Sequence, residues 1–155
     1  MGKQKARACK GPHLALENNI GSSGDLGEVA TGKGRQESIE GLRVSLDSWM
    51  RNSDFDEFRD KKLDLAIVAM VNKDRMNHQD VDNLSKQVLD ALKKPKDGKS
   101  KVEGYLFNDD CQVVRLLVYK LLREDDERYD TDEISISFRE YDPSRQMILE
   151  SLEVI

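Results

Sequence analysis

The sequence has few of the residues that build disulfide-rich, membrane-spanning or strongly aromatic proteins: it contains two cysteines, three prolines and 6% aromatic residues. Cys9 and Cys111 match no metal-binding spacing and suggest no disulfide framework, so we expect a reducing, cytoplasmic environment. No run of about 18 apolar residues is present, and we therefore expect no membrane-spanning helix. Residues 1–11 are basic and lack the apolar stretch of a secretory signal peptide.

Charge is abundant instead: 35% of the 155 residues are charged, and the net charge is -5 at pH 7. A chain of this length is expected to form one domain. Because aromatic side chains are scarce, its core must consist mainly of Leu, Val, Ile and Met. An acidic chain is a poor general ligand for polyanions, since phosphate affinity depends on Lys and Arg. Any contact with nucleic acid must therefore be local.

Hydrophobic periodicity predicts an α+β fold, a small mixed β-sheet with two packed helices. The predicted helices cover residues 36–51 and 80–94. The predicted strands cover residues 62–71, 112–121 and 132–139, and the first of them is apolar on both faces, which is typical of a central strand. The order strand, helix, strand indicates a right-handed β-α-β crossover, and we expect a β-hairpin to follow it.

The same patterns divide the chain into three parts. Residues 1–35 are rich in Gly, Ser, Lys and Asn, and we predict a flexible or poorly ordered segment with one short extended piece around Leu16 and Ile20. Residues 36–142 are predicted to form the folded domain. Residues 143–155 are predicted to form a tail or a short helix.

Several segments are interpreted as structural. In the first helix, Trp49 is predicted to be a core anchor because it continues the helical spacing of Ile39, Leu42 and Leu46. Residues 72–79 are predicted to be a polar loop, and residues 123–131 an exposed hairpin tip, since they lack the glycine of a calcium-binding EF-hand loop. Residues 52–60 are interpreted as a solvated turn with no apolar scaffold. Its acidic residues are Asp54, Asp56, Glu57 and Asp60.

The stretch from Asp80 to Asp110 contains the most informative pattern. Asp80 and Asp82 stand at the start of the second predicted helix, and Asp109 and Asp110 precede the second predicted strand. If that helix packs against that strand, their ends would bring three or four carboxylates together. Like charges oppose one another's ionisation, so such a cluster usually holds a divalent cation. Oxygen ligands suit Mg²⁺, Mn²⁺ or Ca²⁺.

Lys86 lies four residues after Asp82 and therefore on the same side of the helix. It either forms an ion pair with Asp82 or is a cation poised beside a metal-bound phosphate. Asp82 is also a candidate helix N-cap. Asp90 is expected to pair with Lys86 or Lys94. His78 is a candidate base, although a lone histidine in a loop is usually a surface residue.

A basic loop follows the second predicted helix, since Pro95, Gly98 and Gly104 interrupt helix formation within residues 93–104. The loop is either a patch that attracts phosphate, and thus a candidate DNA-binding surface, or simply a solvated loop. Its lysines are Lys93, Lys94, Lys96, Lys99 and Lys101.

The carboxylates have no Ser–His or Cys–His nucleophile nearby. Metal-assisted displacement at phosphorus is the chemistry that they serve best, with one or two Mg²⁺ ions held by Asp80, Asp82 and Asp110. Lys86 would balance charge on the phosphate or orient the attacking water.

Three segments also carry a family pattern: D-x-D-N-L-x-K at 80–86, L-D-A-L at 89–92 and D-D-x-Q-V-V at 109–114. In combination they resemble the RusA family of Holliday junction resolvases, over about residues 62–121. The resemblance implies a homodimeric, Mg²⁺-dependent endonuclease, with Mn²⁺ as a possible substitute, that cuts four-way DNA junctions symmetrically in recombination and repair.

The resemblance also implies roles for single residues. Asp80, Asp82 and Asp110 would be the metal-binding catalytic carboxylates. Lys86 would be the catalytic lysine, and Asp109 a companion acid of secondary importance. The chain departs from the family at its front, where Leu16-Glu17-Asn18-Asn19 is at most a remnant of a P-x-S-x-N turn. Two other functions remain open: a catalytically silent RusA-like module that binds DNA or a protein, and a calcium-stabilised module without enzymatic activity.

Overall fold

The structure is a computed structural model of the 155-residue chain, and it describes residue 16 and residues 18–22, 32–122 and 133–146. The predicted loop at 123–131 and most of the predicted C-terminal tail lie outside these residues. None of the helices within the described ranges is long and apolar enough to cross a membrane.

The described residues form a small mixed β-sheet with packed helices, which confirms the predicted α+β class. The strands are β1 (Asn18–Ser22), β2 (Leu63–Val71), β3 (Val113–Leu122) and β4 (Glu133–Glu140). The α-helices are α1 (Gly32–Met50), α2 (Lys73–His78) and α3 (Val81–Leu92). Two 3₁₀ helices, Ser53–Phe58 and Asp110–Gln112, precede β2 and β3.

Helix α2 occupies the segment that was predicted to be a polar loop, and that prediction is wrong. The side-chain oxygen of Asn72 accepts a hydrogen bond from the backbone N–H of Arg75 at 2.8 Å, which caps the helix. Arg75 is itself buried, so this polar segment packs against the domain.

The strands follow the order β1-β4-β2-β3. β2 is central, as predicted, and runs parallel to β3 and antiparallel to β4. The β2-α3-β3 crossover is confirmed, whereas the predicted hairpin between β3 and β4 is wrong. β4 crosses to the other side of β2 and lies between β2 and β1, with Ile67 opposite Ile136. This inner position buries Ile136 and Phe138 completely.

Helices α1 and α3 cover one face of the sheet and enclose the main core. In α1, Met50 is fully buried, whereas Trp49 is 44% exposed, so the predicted anchor is wrong by one residue. Both positions fit the spacing from Leu46, and the helix phase selects Met50. Complete burial of a side chain of this size contributes about 1.5–3 kcal/mol. The core residues of the two helices include Ile39, Leu42, Leu46, Met50, Leu84, Val88 and Leu92.

The connector before β2 also has an apolar anchor, contrary to the expectation of a solvated turn. Phe55 and Phe58 are buried, and their rings pack edge-to-face against Phe138 with centroid separations of 5.0 and 5.3 Å. The acids around them are exposed as predicted, but three of them have partners. Asp56 pairs with Arg59 at 2.8 Å, Glu57 lies 3.9 Å from Lys61, and Asp60 accepts a hydrogen bond from Nδ2 of Asn108 at 2.7 Å.

β1 belongs to the sheet although its residues fall in the segment predicted to be flexible. Ile20 is fully buried on the helix side of the sheet. Leu16 packs on the opposite side against Ala66 and Val68. The folded domain therefore begins before residue 36, and the short extended piece predicted around Leu16 and Ile20 is present as β1.

The face of the sheet opposite the helices contains a buried ion network centred on Asp64, which has no exposed surface. Arg115 of β3 donates from Nε and Nη2 to the two carboxylate oxygens of Asp64, both at 2.6 Å. Nε of Arg139 in β4 donates to Oδ2 of Asp64 at 2.8 Å. Burial would raise the pKa of Asp64, but the hydrogen bonds from both arginines outweigh it and lower the pKa.

The same arginines hold the chain that follows β4. Arg115 donates to the carbonyl oxygens of Asp142 at 2.7 Å and Arg145 at 2.8 Å, and Arg139 donates to that of Gln146 at 3.1 Å. The network thus ties three strands and the segment after β4 to a single carboxylate.

Candidate functional site

The segment that leads into Asp80 is fixed by a buried polar network. Arg75 is only 2% exposed, and its Nη1 donates to the side-chain oxygen of Gln79. Nε2 of Gln79 in turn donates to the side-chain oxygen of Gln87 in α3 at 3.1 Å. These contacts connect α2 to the second turn of α3.

Lys120 anchors the same segment to β3. Its Nζ donates to the carbonyl oxygens of Met76 at 2.8 Å and Gln79 at 2.5 Å. The start of α3 therefore lies at the end of β3 where Lys120 stands. Lys120 is therefore a positioning residue for the backbone before Asp80.

Asp80 and Asp82 lie exposed at the first turn of α3. Asp80 occupies the N-cap position, with φ -68° and ψ 151°, but its side chain makes no capping hydrogen bond. Asp82 lies inside the first turn, so the predicted N-cap role of Asp82 is wrong. A carboxylate there is still favoured by the helix dipole. The Asp80 carboxylate is thus not engaged in capping.

Lys86 is exposed one turn further along α3 and, within the described residues, forms no ion pair with Asp82. Asp90 pairs with Arg35 of α1, with Nη2 and Oδ2 3.5 Å apart, so its predicted pairing with Lys86 or Lys94 is wrong. The i,i+4 ion pair proposed for Lys86 is therefore not formed, and its ammonium group faces solvent on the side of α3 that carries Asp82.

His78 is an exposed residue at the end of α2. Its Nδ1 lies 3.0 Å from Oδ1 of Asp74 and 2.9 Å from the carbonyl oxygen of Asp74. The ring is thus occupied by its own helix, which agrees with a surface role.

The second acid pair lies in a turn that its own side chains build. Asp109 is the N-cap of the 3₁₀ helix before β3, and its Oδ1 accepts a hydrogen bond from the N–H of Cys111 at 3.0 Å. Gln112 completes a capping box, because its Oε1 accepts from the N–H groups of Asn108 and Asp109 at 2.9 and 3.0 Å. The D-D-x-Q segment is therefore a self-capped turn.

Gln112 also fixes this turn to the start of β2. Its Nε2 donates to the carbonyl oxygens of Arg59 and Lys61, both at 2.8 Å. Hydrogen bonds from the backbone and the thiol of Cys111, followed by the neighbouring Asp110, lower the pKa of Asp109. Asp109 thus serves the turn, and Asp110 is the exposed acid beside it.

The two acid pairs stand at opposite ends of α3, which corrects the expectation that one chain brings them together. In a parallel crossover the connecting helix runs back against its strands, so the start of α3 and the start of β3 lie far apart. The N–H of Leu106 donates to the carbonyl oxygen of Leu92 at 2.7 Å, which places the approach to Asp110 beside the end of α3. The 12 residues of α3 span about 18 Å.

Among the described residues, one chain accordingly brings only one acid pair to either end of α3. Within the described ranges, no three acidic, histidine or cysteine side chains converge to hold a metal ion. Asp80 and Asp82 still fit Mg²⁺, which is commonly bound through one or two carboxylates and keeps several waters. Their exposure leaves room for such waters and for a phosphate.

The basic loop is held against α1 by two carboxylates. Glu40 accepts hydrogen bonds from the hydroxyl of Ser100 at 2.8 Å and the N–H of Lys101 at 2.9 Å. Asp47 accepts from the N–H of Gly104 at 2.9 Å. The backbone of the loop is therefore positioned, although its sequence has no helical or strand pattern.

The lysines of this loop lie at the Asp110 end of α3. Lys93 is half-buried, and its charge acts on Asp109. Lys94 lies over the ring of Tyr105, with Nζ 5.7 Å from the centroid. The remaining lysines are exposed, namely Lys96, Lys99 and Lys101. The candidate DNA-binding patch is thus beside Asp110 and distant from Asp80 of the same chain.

No protein-family model matches the chain, and no curated protein has a sequence significantly similar to it.

Proposed function

We propose that the chain is a Mg²⁺-dependent, structure-specific endodeoxyribonuclease of the RusA type. It would resolve four-way DNA junctions by phosphodiester hydrolysis in recombination and repair, with Mn²⁺ as a possible substitute. The observation that carries the proposal is the start of α3, where Asp80 and Asp82 are exposed beside Lys86, which has no ion pair within the described residues.

The chain's own residues have distinct tasks in this proposal. Asp80 and Asp82 bind the metal, and Lys120 holds the backbone that presents them. Lys86 neutralises charge on the scissile phosphate, because its ammonium group has no carboxylate partner among the described residues and lies on the same helical side as Asp82. A bound Mg²⁺ would supply activation of water and stabilisation of the charge that develops on phosphate.

Asp110 joins this centre only if a second copy supplies it. One chain keeps Asp80 and Asp110 at opposite ends of α3, about 18 Å apart along the helix. A homodimer that apposes the Asp110 end of each copy to the Asp80 end of the other contains two complete acid sets. Two sets related by a two-fold axis suit paired cuts on two strands of a junction.

The same arrangement gives the lysine patch a role in spite of the net charge of -5. Lys96, Lys99 and Lys101 would bind DNA phosphates beside the centre that Asp110 completes. Binding is then concentrated on a positioned loop, while the rest of the acidic surface repels the duplex.

The test is cleavage of a labelled synthetic four-way junction and of a linear duplex, with Mg²⁺ or with EDTA. We expect the wild type to make paired, symmetric cuts in the junction with Mg²⁺, and Asp80→Asn and Asp82→Asn to make none. Asp74→Asn is the matched control, since Asp74 is an exposed acid of the neighbouring helix α2. Absence of metal-dependent cutting by the wild type, or cutting that survives Asp80→Asn, would contradict the proposal.

A catalytically silent binding module is the second candidate, and the separation of the two acid pairs within one chain favours it. Such a module would bind junction DNA through the lysine loop with equal affinity in the wild type and Asp80→Asn, and neither would cut. If Ca²⁺ raises the melting temperature of the wild type but not of Asp80→Asn, and no DNA is bound or cut, the calcium-stabilised module is the better description.

A further inference from the structure

The face of the sheet opposite α1 and α3 carries an apolar cluster of its own. Ala66 and Val68 of β2 are 1% and 4% exposed, and Leu16 packs against them. Three half-buried residues of β3 complete the cluster, namely Leu117, Tyr119 and Leu121. A sheet that is apolar on both faces is normally covered on both. Because α1 and α3 cover the other face, this cluster needs a covering element of its own.

The chain that follows β4 is held on this same face by two arginines. The carbonyl oxygen of Arg145 accepts a hydrogen bond from Arg115 at 2.8 Å, and that of Gln146 accepts one from Arg139 at 3.1 Å. Both arginines also bind the buried carboxylate of Asp64. Gln146 is the last residue that the structure describes. The described chain therefore ends on the face that carries the apolar cluster.

A buried hydroxyl close to this end has no hydrogen-bond partner among the described residues. Ser137 is 3% exposed, and its Oγ is unsatisfied. Ser137 lies opposite Ala66 in the sheet and two residues before Arg139, so its side chain is on the face that Gln146 reaches. A buried hydroxyl without a partner is unfavourable. The backbone of a segment that continues from Gln146 could supply the partner.

The nine residues that follow Gln146 have the pattern of a covering element. Glu150 and Glu153 fall on one side of a helical projection, and the apolar residues recur at the spacing of the other side. A helix of nine residues is about 14 Å long. The β2 residues from Asp64 to Val68 span about 13 Å. The segment therefore has the length needed to cover the cluster. Its apolar stripe consists of Ile148, Leu149, Leu152 and Ile155.

We propose that residues 147–155 dock over this face of the sheet, with their apolar stripe on Ala66, Val68 and Leu117. The segment starts at Gln146, where Arg139 holds the backbone, and runs along β2 away from Asp64. Its two glutamates then face solvent. This docking requires neither a metal ion nor DNA, so it does not depend on the proposed nuclease function.

Crosslinking in the full chain tests the position of the segment. In a background with Cys9→Ser and Cys111→Ser, we expect a short bismaleimide to join Leu117→Cys to Leu152→Cys within one chain. Mass spectrometry of the digested protein identifies the linked peptides. The pair Val44→Cys and Leu152→Cys is the matched control and should not be linked, since Val44 is exposed on α1, which covers the other face. Absence of the first link, or equal linking of both pairs, overturns the proposal.

Thiol labelling tests whether the segment protects the face. With Leu117→Cys as the probe in the same background, we expect Leu152→Asp to speed labelling about tenfold, because a charge under the segment opposes docking. Ser151→Asp adds the same charge outside the apolar stripe and should leave the rate unchanged. Ala91→Cys lies in the main core, has no exposed surface, and should stay protected in both variants.

The alternatives give different results. Unchanged labelling of Leu117→Cys in the Leu152→Asp variant overturns the proposal. If Leu14→Asp speeds labelling and Leu152→Asp does not, residues 1–15 are the covering element, and the proposal is again wrong. If Leu152→Asp exposes Ala91→Cys as well, the whole fold has loosened, and the crosslink between positions 117 and 152 then decides by its presence or absence.

Discussion

Asp64 in β2 and the pair Asp80 and Asp82 at the start of α3 have opposite surroundings. Asp64, on the face away from the helices, is fully buried and accepts hydrogen bonds from Arg115 and Arg139. Asp80 and Asp82, at the first turn of α3, are exposed, and the side chain of Asp80 does not even cap its helix. The difference separates a carboxylate that holds the fold together from a pair that the fold merely presents to solvent.

The sharpest way to test this contrast is Asp64→Asn, for which we expect the largest loss of stability. The substitution leaves Arg139, which is 3% exposed, with a buried charge and without its carboxylate partner among the described residues. Breaking a buried pair in this way typically costs about 3–5 kcal/mol, and the partial exposure of Arg115 points to the lower end. Urea unfolding measures the effect. Asp74→Asn should change stability by less than about 0.5 kcal/mol.

The second prediction concerns the stability of the fold at low pH. The pKa of Asp64 is lower in the folded state than the ordinary value of about 3.9, because its two arginines outweigh the opposing effect of burial. The carboxylate therefore stabilises the fold fully above that value, and the contribution is lost as the pH falls through the folded pKa.

Urea unfolding at intervals from pH 6 to pH 2 checks this sign. The difference in unfolding free energy between the wild type and Asp64→Asn should be constant above about pH 5 and shrink steadily below pH 4. Asp109 and Asp142 also have lowered pKa values, from hydrogen bonds with Cys111 and Ser144, but both are present in each protein and cancel in the difference. A difference that grows as the pH falls would contradict the lowered pKa of Asp64.

The lysine loop shares a feature with each of these groups. Hydrogen bonds to Glu40 and Asp47 hold its backbone, and its lysines Lys96, Lys99 and Lys101 are exposed. At Gly104, an added Cβ would lie 2.5 Å from Oδ1 and 3.0 Å from the carbonyl oxygen of Asp47. We expect Gly104→Ala to destabilise the protein by about 1 kcal/mol and to weaken junction binding, since overpacking displaces the loop. Gly41→Ala is the control: nothing lies within 4 Å of its Cβ, and an alanine within α1 should be neutral or stabilising.

Much of the fold follows from local sequence patterns, and the predictions that are wrong share a physical cause. The runs that became β2 and α3 are long and periodic, so their type is fixed by the sequence itself. The hairpin between β3 and β4 was inferred from adjacency along the chain, but the more completely buried position beside β2 lies on the other side. Trp49 is the predicted anchor of α1 and Met50 is the buried one; helical spacing cannot distinguish them, because both positions satisfy it.

The sequence predicts which residues form the candidate site but not their relative positions in the fold. Asp82 and Lys86 lie on one side of α3 and Asp80 stands at its N-cap, a placement that their spacing alone predicts. Their distance from Asp110 depends on the direction of α3 relative to β3, a property of the crossover. Asp64 was missed, although an acid inside an apolar central strand is a signal, since a buried charge requires a partner. Arg115 and Arg139, each within an apolar strand, were the matching signal.

The smallest expected effect completes the contrast: Asp80→Asn and Asp82→Asn should each change the unfolding free energy by less than about 0.5 kcal/mol. Both side chains are exposed, Asp80 makes no capping hydrogen bond, and Asp82 loses only a weak attraction to the helix dipole. Thermal and urea unfolding without divalent cations measure this directly. A loss near 1 kcal/mol or more for Asp80→Asn would mean that the carboxylate caps α3 in solution. In that case Asp80 belongs with Asp64 among the residues that maintain the fold, and its effect on cleavage would no longer identify a metal ligand.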